Sequence, residues 1–109
     1  MPHYLVQVAY NENAWQALIK NPHDRIEAVR PAIESLGGKV KEGYFAFGDY
    51  DAVLIAEMPD NVAASAMAIA FAAGGACKSV KTTPLMTSAE AVESLKKASR
   101  TGYRAAMAG

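Results

Sequence analysis

Phe47-Gly48-Asp49-Tyr50-Asp51 lies between two segments of strand character, and its reading decides the fold. Gly43-Tyr44-Phe45-Ala46-Phe47 precedes it, rich in aromatics, and Ala52-Val53-Leu54-Ile55-Ala56, the most β-prone run of the chain, follows. Gly48-Asp49 predicts a two-residue type II′ turn, because glycine accepts the positive φ needed at the first central position. In that register Phe47 faces Tyr50, Phe45 faces Ala52 and Tyr44 faces Val53. One face of the hairpin then carries Phe45, Phe47, Tyr50 and Leu54. The other carries Glu42, Tyr44, Asp51, Val53, Ile55 and Glu57.

Working outward towards the N-terminus, residues 4–10 read as a strand bounded by Pro2 and Asn11. Asn11 or Asn13 suits a helix N-cap, since its side chain can accept from a free first-turn amide. Trp15, Leu18 and Ile19 then share one helical face. Asn21-Pro22 interrupts that helix and can restart another, with Asn21 as cap and Pro22 in the first turn. Ile26, Val29, Ile33 and Leu36 continue at helical spacing until Gly37-Gly38. Pro31 removes a backbone donor inside this run, at a cost of about 3 kcal/mol, and predicts a bend.

Towards the C-terminus, Pro59-Asp60 ends the hairpin, and Asp60 caps a helix over residues 61–73. Val62, Ala66, Ile69 and Ala73 are its expected buried stripe, and Gly74-Gly75 its stop. Residues 78–85 alternate as a last strand. Thr87 and Glu90 have capping-box spacing, opening a helix whose stripe is Ala91, Val92, Leu95 and Ala98. Residues 99–109 read as a loose tail, so residues 1–98 form one domain.

The order is strand-helix-strand-strand-helix-strand plus a C-terminal helix. This is an α+β chain of ferredoxin-like type, with a four-stranded antiparallel sheet and helices on one face. The first strand places Tyr4, Val6 and Val8 on one side and Leu5 and Ala9 on the other, so the face without helices is also apolar. Large bare apolar faces are rare on soluble monomers, and a second copy stacked sheet-on-sheet would cover this one.

Among 109 residues, 11 basic and 11 acidic side chains cancel, which leaves no electrostatic footprint for nucleic acid or an anionic membrane. The single cysteine, Cys77, precludes an intrachain disulfide. No charged-then-apolar leader precedes the first strand, so a cytoplasmic protein is expected. His3, His23 and Cys77 lie on separate elements without metal-ligand spacing, and neither metal nor cofactor is expected. Arg25 and Arg30 read as solvated helix flanks.

Taken together, Tyr4-Leu5-Val6, Gly37-Gly38, Gly48-Asp49-Tyr50-Asp51, Pro59-Asp60, Thr82-Thr83-Pro84-Leu85 and Glu90-Ala91-Val92 resemble the GYD domain family over roughly residues 2–98. Pro31 and the tail depart from it. The resemblance implies the architecture of the dimeric α+β barrel proteins, with Gly48, Tyr50 and Asp51 as the structural motif. The barrel relatives include haem-degrading and quinol monooxygenases, isomerases and stress-related proteins, so the resemblance implies no single chemistry.

The ligand-pocket candidates are Tyr44, Asp51, Met67 and Phe71. Tyr44 lies diagonally across from Asp51 on one hairpin face, and a hydroxyl beside a carboxylate can hold a small aromatic or carbonyl ligand. The alternative is that Asp51 closes the turn with backbone amides while Tyr44 fills a sheet interface. Met67 and Phe71 are core residues or a pocket wall. The expected function is binding of a small, partly apolar ligand in a cleft between sheet and helices. The alternatives are a non-catalytic oligomerisation or regulatory module with no ligand, and a cofactor-free monooxygenase or isomerase.

Overall fold

The computed structural model describes residues 1–106. Within them the chain runs β1 (His3–Tyr10), α1 (Glu12–Lys20), α2 (Arg25–Ser35), β2 (Lys39–Phe45), β3 (Ala52–Glu57), α3 (Asn61–Ala73), β4 (Cys77–Leu85) and α4 (Ser88–Ala98). The sheet order is β2-β3-β1-β4, and each neighbouring pair is antiparallel. This is the ferredoxin-like arrangement expected from the sequence, with α4 appended.

Alternation along β1 sorts the two faces. Tyr4, Val6 and Val8 are buried under the helices, while Leu5 and Gln7 are half-buried on the opposite face. The Tyr4 hydroxyl donates to Asn61 Oδ1 at 2.6 Å and so ties the central strand to the start of α3. The core gathers Ile26 and Ile33 of α2, Leu54 and Ala56 of β3, Met58, and Ala64 and Met67 of α3 around β1.

α2 continues through Pro31 to Ser35, so the proline does not end the helix, and Ile33 beyond it is fully buried. The helix start differs from expectation. Asn21 terminates α1, donating its N–H to the Ala17 carbonyl, and Asp24 caps α2 by accepting from the Ile26 and Glu27 amides. Pro22 falls in the link between the helices, so the later carboxylate meets the first free amides. At the other end Gly38 N–H donates to the Ile33 carbonyl and Gly37 N–H to that of Glu34, with Gly37 at φ 82°. That is a Schellman closure, which only glycine adopts without strain. Gly43 serves a different need: a Cβ there would meet Ile26 Cγ2 at 2.8 Å, so its absence lets α2 lie directly on β2.

The hairpin register holds at Tyr44–Val53 and Phe45–Ala52, but the turn is not the tight one expected. The last ladder bond runs from Ala46 N–H to the Asp51 carbonyl, and Phe47, Gly48, Asp49 and Tyr50 form a wider loop. Gly48 has φ 159°, far from the value of about +60° that a type II′ turn needs there. Asp51 is also tied to β1, through its N–H to the Val8 carbonyl and its carboxylate to the Tyr10 N–H. These bonds close the ladder at Ala46–Asp51. Phe47 therefore does not pair with Tyr50 and is fully exposed.

Three helix faces also differ. In α1, Ile19 points to solvent, Leu18 and Ala14 pack partly against the core, and Trp15, though exposed, meets the Tyr10 ring. In α3 the inner residues are Ala63, Ala64, Met67 and Phe71, whereas Val62 and Ile69 of the expected stripe are exposed. Alanine on nearly every side makes that helix almost uniformly apolar, so periodicity does not choose a face. The Tyr4–Asn61 bond and the two large side chains, one turn apart, set its rotation. In α4 the capping box forms as expected, yet no residue is buried, and Val92 and Leu95 lie exposed. The radius of gyration is 17.5 Å, against about 13 Å for a compact chain of this length.

From Ser99 to Ala105 the chain is turn and coil; the remainder of the expected tail, residues 107–109, lies outside the described residues. Among the described residues no helix is long and apolar enough to cross a membrane.

Candidate functional site

Where the sheet meets α2 and α3, small side chains leave a gap. Ala52, Ala70, Gly74 and Ala76 border a cavity of about 190 Å³. Its larger walls are Val8 and Leu54 from the sheet floor, Ile26 and Val29 from α2, and Phe71 from α3. Three polar side chains reach it, Tyr10 at the end of β1, Arg25 at the start of α2 and Cys77 at the start of β4. An apolar cavity of about 150 Å³ is enough to hold benzene, so the space here takes a ligand of about one ring.

Tyr10 is fixed from two sides. Its N–H donates to Asp51 Oδ2 at 2.9 Å, and its ring meets Trp15 edge-on, with centroids 5.4 Å apart at 88°. Burial pushes the Tyr10 hydroxyl above the usual phenol range, while the nearby Arg25 charge opposes the rise. Burial likewise pushes the Cys77 thiol up, again against Arg25. Both groups are therefore neutral at neutral pH, a phenol and a thiol, and neither is held as a base or a thiolate.

Arg25 is the charged group of the lining. His23 Nδ1 lies 2.8 Å from the Asn21 carbonyl, and His23 Nε2 lies 3.1 Å from Arg25 Nη1. A carbonyl only accepts, so Nδ1 carries the hydrogen and Nε2 accepts from the guanidinium. Arg25 is thus steadied by a neutral imidazole. Among the described residues it forms no ion pair with a carboxylate. Asp51 borders a neighbouring crevice, together with Trp15, His23 and other faces of Tyr10 and Arg25, and does not line the cavity.

The four pocket candidates from the sequence do not come together. Phe71 lines the cavity, and Met67 is buried in the core. Tyr44 stands exposed on β2, beside a polar groove shared with Glu27, Arg30 and Glu42. The Asp51 carboxylate is spent on the Tyr10 amide, not on turn amides, and Tyr44 makes no hydrogen bond to it. Of the motif residues, Gly48 lies in the open loop and Tyr50 is half-buried.

Tyr10, Arg25 and Cys77 escaped the sequence reading. Alternation does place Tyr10 on the helix side of β1, with Val6 and Val8, and Arg25 precedes Val29 by one helical turn at the edge of the apolar stripe. Those signals give a face but not a meeting point. Arg25 and Arg30 are both half-buried; Arg30 pairs with Glu27 at 2.8 Å, whereas Arg25 borders the cavity. Among the described residues no group of three His, Cys, Asp or Glu side chains could hold a metal ion.

In comparison with known families, the model of the GYD domain fits residues 4–95. No curated protein matches the chain.

Proposed function

The chain belongs to the GYD domain family, and from that premise we propose that it binds a small, partly apolar ligand in the cavity between the sheet and helices α2 and α3. The carrying observation is the cavity itself, apolar on most sides with a few convergent polar groups, the usual make-up of a small-molecule site. Burial holds Tyr10 and Cys77 neutral, so the lining offers hydrogen-bond donors and apolar surface, which supports binding.

Toluene tests the reading. Added to the ¹⁵N-labelled protein, it should shift amide signals of Val8, Leu54 and Phe71. Ala70→Phe, at an accessible helix position on the cavity wall, should abolish those shifts while leaving the rest of the spectrum in place. Unchanged signals in the unmodified protein, with toluene and with benzoate and benzamide alike, would remove the proposal.

A second reading concerns the other face of the sheet, where Leu5, Val53 and Ile55 are half-buried and Tyr44 and Leu85 exposed, with the first turn of α4 reaching its edge beside Ile55 and Leu85. We propose that a second copy covers this face, sheet on sheet, in a cytoplasmic homodimer. Light scattering at micromolar concentration should give twice the chain mass; a monomer would dismiss this reading and leave the cavity untouched.

A further inference from the structure

We infer that the ligand is a small monocarboxylate, its carboxylate bound by the Arg25 guanidinium and the Tyr10 hydroxyl, its apolar part lying among Val8, Leu54, Val29 and Phe71. This rests on the cavity reading and names its ligand class. Four observations lead to it. Arg25 is the charged group in an otherwise apolar wall, and no acidic side chain lines the cavity with it. Among the described residues no carboxylate forms an ion pair with it; Asp51 borders the neighbouring crevice with it, and its hydrogen bond goes to the His23 ring. Being half-buried, it keeps part of its surface open, where a ligand carboxylate would make a charge-assisted, fork-shaped contact. The Tyr10 hydroxyl, kept protonated by burial, is a donor on the same side.

Size and charge narrow the class. A phosphate monoester is a dianion and calls for a second cation, and no second cation lines the cavity. A neutral ring would fill the apolar part but leave the guanidinium without its counter-charge. About 190 Å³ holds a single ring or a short alkyl chain beside the anionic head.

The experiment compares acids with their amides, which match in shape and differ in charge. Binding of benzoate, benzamide, pentanoate, pentanamide and toluene is followed by amide shifts in the unmodified protein and in Arg25→Gln. The acids should bind about tenfold or more tightly than the amides, and Arg25→Gln should remove that preference, with acid binding falling further than amide binding. Equal affinity for acid and amide in the unmodified protein would overturn the carboxylate assignment without any variant having to fold. Retention of the preference in Arg25→Gln would overturn it too. Toluene and amides binding as well as the acids would leave the cavity reading standing and this inference fallen. Absence of binding by all five probes would remove both.

Discussion

α2 and α4 are each eleven residues long, each has a side-chain cap, and each carries an apolar stripe. Their surroundings differ completely. Ile26 and Ile33 of α2 are buried, with Val29 and Leu36 packed beside them, whereas α4 buries nothing. The Schellman closure at Gly37-Gly38 turns the chain straight back from α2 into β2, which folds the helix onto its own sheet. Gly38 and Gly43 then let it settle, since a Cβ at either would collide with Met58 or Ile26. α4 leaves the edge strand β4 through Met86-Thr87, with no described strand after it to bring it back. Capping and periodicity make a helix; the connection decides whether its stripe meets anything.

The largest expected effect follows from that contrast. Ile33→Ala should lower stability by about 2–5 kcal/mol, because it opens a cavity in a packed core. Leu95→Ala should stay within about 0.5 kcal/mol when measured on dilute protein. Denaturant titration of both variants checks this. A Leu95→Ala loss that grows with protein concentration would mean that a second chain covers α4, and the comparison would then distinguish intrachain from interchain burial.

An intermediate effect separates an anchored side chain from an unanchored one within the hairpin. Asp51→Ala strips the Tyr10 N–H of its acceptor and should cost about 1–3 kcal/mol. Asp51→Asn keeps an acceptor and should be milder. Tyr44→Phe removes a hydroxyl that makes no hydrogen bond and should leave the melting temperature nearly unchanged. A strongly destabilised Tyr44→Phe beside an unaffected Asp51→Ala would reverse the two roles.

The smallest effect is electrostatic. Bonds from the Thr87 backbone N–H, and then from its side chain, hold the Glu90 carboxyl below the usual carboxylate range. Arg30 does the same for Glu27 on α2. In each case the folded-state value is the lower one. The contribution is therefore complete above the unfolded value of about 4.3 and disappears as pH falls through the folded value. Between about pH 5 and pH 3, amide exchange in the first turn of α4, taken relative to the intrinsic rate at each pH, should accelerate, and Glu90→Gln should flatten that response. α2, held by its buried face, should show less. Equal acceleration in both helices would mean that tertiary packing contributes nothing to their difference.

Much of the fold was legible because the signals were local. The caps at Asn11, Asp60 and Thr87, the stop at Gly37-Gly38 and the pairing of Tyr44 with Val53 each depend on residues close in sequence. The α2 stripe was legible as well, since its branched side chains stand on an otherwise polar helix. α3 was not, because a helix of alanines offers almost the same hydropathy in every direction. The width of the Phe47–Tyr50 loop was also hidden, since it depends on bonds from Asp51 to the distant strand β1.

The sequence by itself determined the order of elements, their caps and stops, and the alternation that gives each strand two faces. Hydrogen bonds within a turn and side-chain periodicity act over a few residues, and those are written in the chain. Only the tertiary structure decided which side of α3 faces inward, that α4 stands uncovered, and that Tyr10, Arg25 and Cys77 share one cavity with Phe71. These three polar groups sit on β1, α2 and β4 and meet only when both helices lie on the sheet. The gap between them exists because small side chains from separate elements happen to stack there, a packing property that no single segment of the sequence contains.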